Sequence, residues 1–244
     1  MCAIDGACIG RSNITSSTFR GGIAVVNVRE QRVAVWALIG MTITALLFGG
    51  ASALVMAAEG HRLLEDFHAK EADGFPVNWQ NENGRNEARA REAYKVQGEK
   101  DGTFLAVRNA DQRIKNKKIE WDPKAKPVLT WRWRLHKAPT DADPIAVIYV
   151  ALDTDLLFIP VFTKYIWSGT KAEGTVTEGG MFSGSEIVVQ SGLAPTEWVE
   201  ERVNVYEDFK RIHKHEPAEK AWGISLFASP GVEVDFGPIA VFAP

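Results

Sequence analysis

Val128-Leu129-Thr130-Trp131-Arg132-Trp133-Arg134-Leu135 decides the fold class. Leu129, Trp131, Trp133 and Leu135 fall on one side of an extended chain and Thr130, Arg132 and Arg134 on the other, because successive side chains of a strand alternate. One face belongs to a core and the other to solvent or a ligand. Downstream, Ile145 to Leu152 is apolar at every position up to Leu152, which predicts a central strand covered on both faces. Glu186 to Gln190, Trp222 to Ala228 and Ile239 to Phe242 read as further strands. Turn residues at Glu99 to Gly102, Asp122-Pro123, Asp141 to Pro144, Gly179-Gly180 and Ser229 to Gly231 punctuate the pattern. Many short strands with little helix predict an all-β, antiparallel, two-sheet sandwich of jelly-roll type.

Upstream, the segment from Gly84 to Tyr94 is rich in Arg, Glu and Ala, and is expected to be a solvated helix or a loop. Further upstream, Val33 to Ala58 contains no charged residue and follows Arg29 and Arg32. The run is long enough to span a bilayer, but Gly49 and Gly50 end its greasiest part and small residues follow, as a signal peptidase requires. Residues 29–58 are therefore expected to be an export signal, either cleaved near Ala53 or Ala57 or kept as an anchor. In both cases the remainder faces the far side of the membrane, since the two arginines hold the amino end inside. No Cys follows the run to serve as a lipid-attachment site. Residues 1–28 look like a tail, and translation is expected to begin near Val25, Val26 or Val28. The expected location is the periplasm or the exterior, or the inner membrane facing the periplasm if the segment is retained. Membrane contact is expected only through that segment.

Both cysteines, Cys2 and Cys8, precede the signal. The domain from Glu59 to Pro244 thus has no disulfide, thiol nucleophile or Cys-ligated metal. Removing the four arginines and two acids before Glu59 leaves 24 basic and 29 acidic side chains, a net charge of −5, so nucleic acid is not an expected partner. Seven of the eight tryptophans lie in this part, packed in a core or displayed as stacking platforms.

Trp198 to Tyr206 reads as a strand with Val199, Val203 and Val205 on one face and Trp198, Glu200, Arg202, Asn204 and Tyr206 on the other. An aromatic and polar face of this kind suits a sugar, whose apolar ring faces stack while its hydroxyls take hydrogen bonds. The candidate ligand-binding residues are Arg132, Arg134, Trp198, Arg202, Asn204, Tyr206 and Asp208. The opposing reading has Trp198 covering a sheet edge and the arginines in salt bridges.

Catalytic patterns are weak. Glu200, Glu201, Glu207 and Asp208 supply carboxylates for a glycosidase, without the same-face Glu-x-Asp-x-Glu spacing of jelly-roll enzymes. A lyase could use Tyr206 with Arg202 and Asn204. No Gly-x-Ser-x-Gly, phosphate-loop or dinucleotide pattern occurs after the signal, and Ser183-Gly184-Ser185 sits in a turn. In a strand His213 and His215 would share a face, whereas in a loop, which Lys214, Glu216 and Pro217 favour, they would be solvated; no third ligand is identifiable, so no metal or cofactor is expected.

Several motifs together resemble one family: Phe75-Pro76-Val77-Asn78-Trp79, Pro127 through Leu135, Tyr165-Ile166-Trp167-Ser168, and Trp198 through Glu201-Arg202-Val203-Asn204-Val205 to Asp208-Phe209. They resemble DUF3047, a family of exported bacterial proteins with no established reaction. The resemblance implies a β-sandwich similar to carbohydrate-binding and galactose-binding modules. The chain departs from the family pattern where Asp141 and Asp143 are separated by Ala142, and where Ala228-Ser229-Pro230-Gly231 replaces an acid-rich loop. The combined expectation is a non-catalytic binding protein for a glycan or an envelope protein. A polysaccharide-active enzyme and a structural envelope protein are the alternatives.

Overall fold

A computed structural model describes residues 60–154, 159–179, 184–193 and 197–244. The expected signal segment and the tail before it lie outside these residues. No helix among the described residues is long and apolar enough to cross a membrane.

Two sheets form the sandwich. Six strands make the first: β1 (His61–Glu65), β3 (Tyr94–Glu99), β4 (Gly102–Arg108), β6 (Val128–Lys137), β11 (Val199–Asn204) and β13 (Glu233–Phe242), in the order β11-β6-β13-β4-β3 with β1 also on β13. Seven make the second, ordered β2 (Gln80–Asn81), β5 (Ile114–Asn116), β12 (Ile224–Ala228), β7 (Ala146–Thr154), β8 (Pro160–Ser168), β10 (Ser185–Ser191) and β9 (Val176–Thr177). The pairing is antiparallel except for β8 with β10, which run parallel; the purely antiparallel expectation is corrected there. Parallel neighbours need a long connection, and the residues between Ser168 and Ser185 supply one.

The core lies where the period-two pattern places it. Leu129, Trp131, Trp133 and Leu135 of β6 are at most 3% exposed. They meet Ile148 and Val150 of β7, Tyr165 and Trp167 of β8, and Leu226 of β12, all fully buried. A line of rings crosses between the sheets, with Trp131 5.8 Å from Tyr165 and Trp133 5.4 Å from Trp167, spacings at which aromatic pairs attract. β7 is central as expected: Val147 on its other face is also fully buried, in a small cluster with Ile166 and Val188.

Two helices accompany the sheets, α1 (Glu87–Ala93) and α2 (Val205–His213). α1 falls within the charged segment that sequence left between helix and loop. α2 is the larger departure, because the expected strand through Tyr206 ends at Asn204. The Asn204 side chain accepts the Glu207 backbone N–H at 3.0 Å and caps the helix. Glu207 and Asp208 sit in the first turn, where the helix dipole favours acids. Val205, Phe209 and Ile212, spaced four and three apart, are all buried.

Candidate functional site

The predicted ligand-binding residues separate into three places. On the outer face of the six-stranded sheet, Arg132, Arg134 and Trp198 do come together. The Trp198 ring has the guanidinium carbons of Arg134 and Arg132 at 4.3 and 4.6 Å, a cation–π arrangement. Its Nε1 donates to Glu99 at 2.9 Å, and Arg134 donates to the same carboxylate at 3.0 Å. Gly237 on neighbouring β13 makes room, since a Cβ there would stand 2.4 Å from Arg132 Cγ. Farther along the face, buried Asp235 is paired with Arg108, Arg134 and His136, each at 2.8 Å. The set is largely answered within itself, and a sugar would have to displace arginines from the indole.

Arg202 is exposed on β11, with its guanidinium 5.3 Å from the Phe242 ring. Asn204 is spent on capping. Asp208 accepts the Tyr165 hydroxyl at 3.1 Å and pairs with Arg211 at 2.8 Å, so it ties α2 to the second sheet. Burial and the Asp208 charge push the Tyr165 phenol well above its ordinary pKa.

Tyr206 goes elsewhere. Being helical, it does not share a face with Trp198, and it lines a cleft of about 670 Å³, within the range of small-ligand sites. Around it stand Arg62, Lys124 and Lys220 together with Glu120, Asp122, Glu216 and Glu219, while nearly buried Trp121 packs behind. Lys124 lies 3.1 Å from Glu216 and Lys220 3.7 Å from Glu120, with more than half of every one of these side chains exposed. Hydrogen bonds from Lys124 and Tyr206 hold the Glu216 carboxyl below its usual range, and Glu216 raises Lys124 in return. The Asp122 carboxylate accepts the backbone N–H groups of Lys124 and Ala125, which fixes the loop carrying Lys124. Paired charges of both signs on reachable side chains can donate to and accept from the same ligand.

Glu201 was among the sequence candidates, but its orientation was not foreseen. It points inward with Val199 and Val203, and its carboxylate accepts the Trp133 indole N–H at 3.1 Å. Burial, against the lowering effect of that bond and with the Glu173 charge adding to it, pushes its pKa up to about 7. It does not line the cleft around Tyr206.

His213 is the last residue of α2 and His215 follows the left-handed Lys214, so the pair is on no strand. Their rings are 6.2 Å apart and His215 Nδ1 is 3.7 Å from Asp153. Burial, then the neighbouring His215, lowers the His213 pKa. Among the described residues no group of three or more His, Cys, Asp or Glu side chains is placed to hold a metal ion. Asp143 accepts the hydroxyls of Ser168 at 2.6 Å and Thr170 at 2.8 Å, closing the turn before β7.

A search of curated proteins finds no match. Among solved structures the chain is similar to the family 11 carbohydrate-binding module of the cellulosomal cellulase Lic26A-Cel5E of Clostridium thermocellum, at 10% identity and a TM-score of 0.42, covering 76% of this chain and 95% of that one. It is also similar to the K3 cleaved adhesin domain of Lys-gingipain from Porphyromonas gingivalis, at 10% identity and a TM-score of 0.37, covering 75% and 99%. A third similar structure is a mannan-recognising carbohydrate-binding module, at 9% identity and a TM-score of 0.35, covering 75% and 98%. Over residues 159–228 the chain matches the family model of DUF3047, a protein of unknown function, the family that its motifs resemble.

Proposed function

We propose that the protein is an exported β-sandwich that binds a neutral glycan in the cleft around Tyr206 without transforming it. The observation that carries this is the mixed lining: three basic and four acidic side chains around one tyrosine. An anionic ligand would meet four carboxylates and a cationic one three cations. A sugar, whose hydroxyls both donate and accept, suits both signs at once. Export rests on the uncharged run from Val33 to Ala58 behind Arg29 and Arg32.

The test is a glycan array probed with the purified protein, in a detergent without a sugar headgroup, followed by mass spectrometry of the bound sugars. Neutral glycans are expected to be retained intact, and Tyr206→Ala together with Lys124→Ala to abolish retention. Preference for uronic-acid polymers, or retention indifferent to both substitutions, would overturn the assignment.

A further inference from the structure

Among the described residues Trp222 is the one Phe, Tyr or Trp that stands about half in water, at 52% exposure, while Trp79, Trp121, Trp131, Trp133 and Trp167 are at most 4% exposed. It is nevertheless held firmly. Its backbone N–H donates to Ala151 O at 2.7 Å, and the Ala151 N–H donates to Gly223 O at 3.2 Å. Gly223 has a φ of +118°, and a Cβ on it would lie 2.6 Å from Asn116 O, so the turn that presents the indole is locked against β5. An exposed ring on a fixed backbone loses little freedom when a ligand covers it.

The indole borders a depression of about 130 Å³ whose other walls differ in character. Pro160 and Phe162 continue the apolar side, and Lys115 and Glu82 supply the polar one. The Glu82 Oε1 is 3.2 Å from Arg113 and 3.5 Å from Lys115, while its Oε2 is buried with no hydrogen-bond partner in the structure. An exposed indole with Pro160 and Phe162 on one side and the charged Lys115 and Glu82 on the other matches a ring with an apolar C–H face and a hydroxylated edge. Lys220 lines the cleft and Trp222 the depression; the two are exposed on either side of the buried Ala221, so one segment contributes to both.

We infer that Trp222, with Phe162 and Glu82, forms a second subsite that takes one hexopyranose ring of the glycan whose neighbouring part lies in the cleft around Tyr206. This rests on the cleft reading given above. β-1,4-linked glucose or mannose chains are the favoured class, since their mostly equatorial substituents leave flat C–H faces for stacking.

The test is titration of the purified protein, in a detergent without a sugar headgroup, with β-1,4-gluco- and manno-oligosaccharides of one to six units, followed by tryptophan emission and calorimetry. Affinity is expected to rise with chain length and then level off, with a blue shift of emission on binding. Trp222→Ala is expected to weaken the longer oligosaccharides by about tenfold and leave the shortest binder unchanged, and Trp222→Phe to restore most of the affinity while removing the shift. Because the indole is exposed, unchanged thermal unfolding in Trp222→Ala serves as the folding control. If binding survives Trp222→Ala at every length, the subsite is overturned and the cleft reading stands. If it survives Tyr206→Ala with Lys124→Ala yet fails in Trp222→Ala, the cleft reading is overturned and the platform acts alone. No emission change with either series overturns the subsite.

Discussion

Replacing Glu201 by Gln should stabilise the protein above neutral pH and leave it unchanged in acid. The Glu201 pKa of about 7 in the fold stands against 4.5 for a free glutamate. Between those values the folded protein keeps a proton that the unfolded chain gives up, so stability falls as pH rises through the window and is level beyond it. At about 1.36 kcal/mol for each pH unit, the ceiling is a little over 3 kcal/mol. The carboxyl is only partly buried, and solvent screening reduces this to about 1–2 kcal/mol. A glutamine keeps an oxygen to accept the Trp133 N–H, which removes the charge while leaving the contact. Thermal unfolding of both proteins at pH 5 and pH 8 reads the effect. The variant is expected to melt about 4 °C higher at pH 8 and within about 1 °C at pH 5. Equal melting at pH 8, or a gain that is as large in acid, would show that the inward carboxylate carries no ionisation cost and refute the reasoning.

Asp235→Ala leaves Arg134 and Arg108 without their shared buried partner and should cost about 3 kcal/mol, measured by urea denaturation. Gly237→Ala should cost about 1–3 kcal/mol and alter tryptophan emission, because Arg132 would have to leave the Trp198 ring. Trp133→Ala empties the meeting point of Trp131, Trp167 and Phe236 and should cost about 3–5 kcal/mol in the same denaturation series. The lowered His213 pKa means that stability is lost as pH falls below 6.5, where the unfolded chain binds a proton that the fold resists. His213→Gln should flatten that acid limb in melting curves taken from pH 7 to pH 5.

The strands that sequence located best, β6 and β7, are those whose pattern is decided by burial alone: alternation where one face is covered, continuous apolar residues where both are. The helix α2 was hidden although its signals were present. Asn204 stands three residues before Glu207, and Val205, Phe209 and Ile212 repeat at helical spacing, but the alternation of the preceding strand extends by chance through Tyr206. That single misread boundary joined Tyr206 to Trp198 and concealed the cleft. Parity along β11 already put Glu201 with Val199 and Val203, so its inward direction was legible; its raised pKa was not, since that comes from burial beneath strands far along the chain and from the Glu173 charge, against the lowering hydrogen bond of Trp133. Glu99 is a partner of Arg132, Arg134 and Trp198 only because the β3–β4 hairpin carries it there. Trp222 was assigned to a strand, whereas its exposure is set by the turn at Gly223, which no alternation rule reveals.

β13 pairs with β6 along one edge and with β4 and then β1 along the other, so the last strand in sequence occupies the middle of its sheet. Until residues 233–242 are available, β6 has no neighbour on that side and β1 has none at all. A polypeptide emerging from a ribosome or a translocation pore in the direction of synthesis therefore holds Trp131 and Trp133 incompletely covered until residues 233–242 have followed. Registers such as His61 with Phe242 close a loop of nearly the whole domain, and closure at that separation is slow. The protein's hydrophobic rings are consequently most open to chaperones, or to aggregation, in the interval before the final strand arrives.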